Sequence, residues 1–142
     1  MQSFQNLCDQ YGSIIGGKTE IKEGICFVTF PRNLVVSVQG RISNSPLVNN
    51  VVLSFDDPNG KGYSINEVNI PLLHHEITPI IAMAKQEGID VGAVHNHWLY
   101  VQPPILNVHL QKIEKPLLFA EKMQNIVSYL RGGFSNVNSG TL

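Results

Sequence analysis

Cysteine is scarce in this chain: only Cys8 and Cys26 occur, and they lie far from a CxxC spacing. A disulfide framework and a four-cysteine zinc site are therefore not expected, and both residues read as small buried hydrophobes in a reducing compartment. Excess positive charge is also missing, with 10 Lys and Arg against 11 Asp and Glu and a formal net charge of −1. Without a basic footprint, a nucleic acid is not expected as a partner. No uninterrupted apolar stretch approaches the roughly 20 residues that span a bilayer, so no membrane association is expected. The opening MQSFQNLCDQYG lacks a basic region followed by an apolar run, so no signal peptide is read there and a cytoplasmic location is expected. Repeats, linkers and low-complexity blocks are absent as well.

What is present suits one domain. A chain of 142 residues at 43% hydrophobic content can bury a real core without staples. Residues 1–132 read as that domain, and 133–142 as a flexible C-terminal tail without periodicity.

Phe4, Leu7, Cys8, Tyr11, Ile14 and Ile15 form the stripe of an amphipathic helix, with Ser3 as its cap and Gly16-Gly17 as its stop. From Gly24 the pattern becomes extended. Ile25 to Phe30 and Leu34 to Val38 read as a hairpin across a Pro31-Arg32-Asn33 turn, and Arg41 to Asn50 as a loop. Val51 to Phe55 and Tyr63 to Ile70 read as two more strands around the DDPNGKG turn. Thr78-Pro79 reads as the cap and first position of a helix stopped by Gly88. A strand from Ile89 and a return strand from Ile105 to Gln111 follow, then a helix entered through Pro116. The order α-β-β-β-β-α-β-β-α points to an α+β domain, a largely antiparallel sheet with helices packed against it.

Chemistry concentrates in IDVGAVHNHWLYVQPPILNVH, residues 89–109, which holds three of the five histidines. Side chains two apart on a strand share a face, so His95 and His97 are expected to project together, about 6 to 7 Å apart, continuing a row of Ile89, Val91 and Ala93. If the return strand pairs across the WLYVQPP loop, His109 falls opposite Ala93 and close to His95. Three imidazoles with an open fourth position suit a divalent metal such as zinc. Glu76, at a helix start, is a candidate fourth ligand or general base, and equally a carboxylate placed by the helix dipole. His74 and His75 read as exposed residues. The letters HNH are not a nuclease signature here, because the residues are consecutive and the chain is not basic.

In Glu76-Ile77-Thr78-Pro79, Gly88-Ile89, Ala93-Val94-His95-Asn96-His97, Pro103 and His109, in that order and spacing, the chain resembles the LppY/LpqO family of domains of unknown function. Arg32-Asn33-Leu34 with Val36, Val38 and Gly40 resembles that family's early hairpin, and the similarity spans roughly Gly12 to Leu130. The resemblance implies that Glu76, His95, Asn96, His97 and His109 form one site, and it implies no reaction. The exported-lipoprotein role of named members is not carried over, because no signal sequence or lipobox is read at the start. Larger members carry the domain twice, so a site built between copies would here require self-association.

Three functions compete. The first is a metal-binding domain holding a divalent ion through His95, His97, His109 and Glu76, with metal-dependent hydrolysis as its possible chemistry. The second is a non-catalytic pocket for a small polar, nucleotide-like ligand, using Asn96 with Trp98 or Tyr100 as a stacking platform. The third is an interaction module, a homodimer among the options, built on the apolar Trp98-Leu99-Tyr100-Val101 run.

Overall fold

In a computed structural model, residues 3–132 are described; they form an α+β domain, and the tail expected over 133–142 lies outside them. Helix α1 (Phe4–Ile15) is followed by strands β1 (Lys18–Lys22), β2 (Ile25–Pro31), β3 (Val36–Val38) and β4 (Arg41–Ser43). A short helix α2 (Pro46–Asn49) then leads into β5 (Asn50–Asp56) and β6 (Ser64–Leu73). A 3-10 turn (His74–Glu76) runs into α3 (Ile77–Gln86), and β7 (Asp90–Asn96), β8 (Val101–Gln102), β9 (Ile105–Glu114) and α4 (Pro116–Leu130) complete the fold.

Six strands make one antiparallel sheet in the order β1-β2-β5-β6-β9-β7. Alternation along β2, β5, β6 and β9 buries Val28, Leu53, Phe55, Ile70, Val108 and Leu110 on one face, under α1, α3 and α4. On the other face Thr29, Val52, Asn69 and His109 stand in one row across neighbouring strands, and Ile105 beyond them packs against Val48 of α2. A second sheet, β4-β3-β8, packs Val36, Val48 and Ile105 into a small satellite core.

Ser3 caps α1 by accepting from the Asn6 amide, and Gly16 ends it in the left-handed conformation at φ 77°. Several local expectations are corrected. The stretch after Pro31 does not return as a hairpin: β2 pairs with β1 and β5, and β3 leaves for the second sheet. Strand β1, KTEIK, escapes a hydrophobic reading because it is a charged edge strand, a common protection against edge pairing. Thr78 is not the cap of α3, which starts at Ile77 out of the 3-10 turn, leaving Pro79 within the first turn.

The two cysteines are buried, as expected, but they are not separate thiols. Cys8 and Cys26 form a disulfide with their Cα atoms 5.7 Å apart. The β1–β2 hairpin folds Cys26 back beneath α1, so two residues 18 apart in sequence meet in the core. Spacing alone conceals that proximity, since it arises from a strand the hydrophobic pattern does not announce.

Candidate functional site

The return strand lies where the histidine reading requires it. β7 pairs with β9 so that Ala93 is opposite His109 and His95 opposite Asn107. Directly opposed residues on antiparallel strands point to the same side, which places His95 and His109 together on the face opposite α1, α3 and α4. Their Nε2 atoms are 2.8 Å apart and their rings stack with centroids 4.9 Å apart.

A bulge makes this meeting possible. The pairing runs Val91 to Leu110 and then Ala93 to His109, leaving Gly92 as an extra residue. Val91 therefore faces the core with Leu110, while Ala93 and His95 face the open side. The expected row of Ile89, Val91, Ala93 and His95 on one face is corrected accordingly: strict alternation from Val91 would have turned His95 into the helix-covered side.

His95 has its protonation pattern set by a neighbour. Its Nδ1 is 2.9 Å from the Asn96 carbonyl oxygen, and a carbonyl can only accept, so Nδ1 carries the hydrogen and Nε2 offers a lone pair. His109 Nε2–H then donates to it. Burial, followed by the neighbouring His95 and His97, lowers the pKa of His109 below the usual 6.5.

His97 lies one residue past the end of β7 and so leaves the strand's facing rule. Its ring stacks on Trp98 with centroids 4.4 Å apart, and it sits edge-on to His95 at 6.2 Å. Asn96 pairs with Leu106, and alternation directs its amide away from His95; it is the Asn96 backbone that meets the cluster. Tyr100 is 75% exposed, and its carbonyl accepts from the Gln39 amide. The loop thus splits: Trp98 joins the histidines, Val101 packs into the satellite core, and Leu99 and Tyr100 face outward.

Glu76 is not brought to the histidines. One carboxylate oxygen is 2.7 Å from Arg32 Nη2, and the other accepts from Arg32 Nη1 at 3.1 Å and from the Leu73 amide at 2.8 Å. Its charge acts on Tyr129 of α4, which locates it on the helix side of the sheet. The carboxylate expected as fourth ligand or general base is therefore buried and held by a bidentate guanidinium, apart from the histidines. His74 and His75 are exposed on the 3-10 turn. Among the described residues, no group of three or more His, Cys, Asp or Glu is arranged as a metal cage. The preformed element is the His95–His109 pair.

Two participants were not anticipated. Asn69 lies opposite His109 on β6, and the buried Asn107 donates to Asn69 Oδ1 at 3.1 Å. Asparagine disfavours strand interiors, so its presence in the middle of two adjacent strands was the available signal.

The family model for a Domain of Unknown Function (DUF1259) matches residues 9–129. The chain belongs to that family. No curated protein and no solved structure matches the chain. The matched segment includes the whole six-stranded sheet and every residue of the histidine cluster. Among the described residues, no helix is long and apolar enough to cross a membrane.

Proposed function

We propose that this DUF1259 domain binds a divalent transition metal, zinc being the ion its donors suit best, through His95 and His109, with His97 as a third donor. The observation that carries the reading is the convergence of the two Nε2 atoms at 2.8 Å with His95 Nδ1–H held by the Asn96 carbonyl. A hydrogen bond donated by one ring nitrogen to a neighbouring group, leaving the other nitrogen free, is how metal-binding imidazoles are oriented. Two nitrogens on one tetrahedral zinc stand about 3.3 Å apart at a bond length of about 2.05 Å. Opening the pair by about 0.5 Å reaches that spacing, and a tautomer shift frees His109 Nε2. His97 joins by leaving the face of Trp98.

An ion held by two or three imidazoles keeps coordination positions open, where it would polarise a bound oxygen or activate water. Glu76, held by Arg32, is assigned no part in that chemistry. Within its family we read the chain as LppY/LpqO-like, on the motif from Glu76 to His109. The Cys8–Cys26 bond supports an oxidising compartment as the place of work, instead of the cytoplasm, because buried structural disulfides are rare where thiols are kept reduced.

Protein purified without a nickel column, then dialysed against zinc or cobalt, should retain close to one ion per chain by elemental analysis. His95→Ala and His109→Ala should each abolish retention, and His97→Ala should weaken it. A folded wild-type chain that takes up neither ion at micromolar concentration would end the reading.

A further inference from the structure

The face of the six-stranded sheet opposite α1, α3 and α4 holds two hollows that share a wall. One, of about 240 Å³, is bounded by Ser54, Asn69 and His109; the other, of about 600 Å³, by Asp90 and Ile113; Glu67 and Gln111 line both. Ser54, Glu67, Gln111 and Asp90 form one row across β5, β6, β9 and β7, directly beside the row that carries Asn69 and His109. Three strand spacings make this trough about 14 Å long.

The lining selects a chemistry. Glu67 and Asp90 have no ion-pair partner among the described residues, and the Lys112 ammonium donates to the Gly88 carbonyl at 2.8 Å. Two carboxylates against the single Lys112 ammonium leave the trough net negative, which disfavours a polyanion, and burying them against a second copy of the same face would cost their hydration. A purely apolar ligand would leave amides, carboxylates and imidazole unsatisfied. A polycation would pair with the carboxylates but has no acceptor for the amide hydrogens of Gln111. Hydroxyl-rich neutral molecules satisfy both kinds of group, since a hydroxyl both donates and accepts. Ile65 and Ile113, 49% and 68% exposed, lie opposite one another on this same face and offer apolar ground for the C–H side of a sugar ring.

We propose that the trough running from His109 across Glu67 and Gln111 to Asp90 binds a short neutral oligosaccharide. The inference goes beyond metal binding and stands without it, because the half of the trough at Asp90 and Ile113 contains no histidine.

The test is an NMR titration of the isotopically labelled chain, metal-free and zinc-loaded, with neutral tetrasaccharides of β-1,4- and α-1,4-linked glucose and of N-acetylglucosamine. At least one should give saturable shifts of the Asn69 and Gln111 side-chain amides, in the presence or absence of zinc. Gln111→Ala and Glu67→Ala, both at exposed positions, should each weaken binding by about tenfold, the value of one lost hydrogen bond to a ligand. His95→Ala, which removes the proposed metal, should leave the shifts at Gln111 in place. The proposal is overturned if no neutral saccharide produces saturable shifts, if only spermine or tetralysine does, or if the same resonances respond to protein concentration alone.

Discussion

Arg32 and Glu76, 44 residues apart, meet fork to fork on the helix side of the sheet, with side chains only 3% and 9% exposed. Arg32 Nη1 also donates to the Pro71 carbonyl at 2.6 Å. The pair therefore pins the end of β2 to the end of β6 and to the turn that starts α3. Removing one partner strands a buried charge, which typically costs about 3–5 kcal/mol. Glu76→Ala should lower stability by that amount in urea unfolding, while zinc stoichiometry in the folded protein stays at wild-type level. The double variant Arg32→Met with Glu76→Leu should recover most of the loss. Lost metal with intact folding would return Glu76 to the ligand set.

The Gly92 bulge yields a counterintuitive expectation. Deleting Gly92 leaves Val91 opposite Leu110 and Ala93 opposite His109 with simple alternation between them. His95 should then keep its place beside His109, and metal retention should survive the deletion. Loss of metal from a folded deletion variant would show that the bulge shapes the site beyond setting its face.

The lowered pKa of His109 sets the direction of a pH effect in the metal-free chain. The unfolded chain takes up this proton first as pH falls, because its imidazole titrates near 6.5 and the folded one lower. The stabilisation is thus fully present above pH 6.5 and is lost as pH falls from there through the folded value. Thermal melts from about pH 8 to about pH 5 should show a decline that begins near 6.5, and His109→Gln should flatten that part of the curve. An unchanged profile in the variant would remove His109 as its source.

Cross-linking α1 to β2 through Cys8 and Cys26 closes a loop of modest length, for which the chain-entropy estimate is about 3 kcal/mol. Cys8→Ala with Cys26→Ala should lose about that much, measured by unfolding without reductant. Alkylation under denaturing conditions should find no free thiol in protein from an oxidising compartment. Two alkylated cysteines in protein isolated from its native source would restore the reducing-compartment reading.

Much of the fold was open to inspection because local rules agree with the final structure. The stripe on α1, the Ser3 cap, the Pro116 start and the alternation on β5, β6 and β9 are properties of neighbouring residues, and short-range sterics and burial suffice to read them. The same locality failed at β1 and β3. A charged edge strand and a three-residue strand shared with a separate sheet carry too little hydrophobic pattern to announce their partners.

At the site the division is sharper. The sequence by itself determined that, once the strand from Ile89 and the return strand from Ile105 pair, His109 falls opposite Ala93, because a loop between two extended runs leaves few registers. Only the tertiary structure decided which face they share, since one extra residue at Gly92 inverts every side chain beyond it. It also decided that Glu76 answers Arg32 instead of the histidines. That choice depends on which side of the sheet the chain reaches after β6, and no spacing between Glu76 and His95 encodes it.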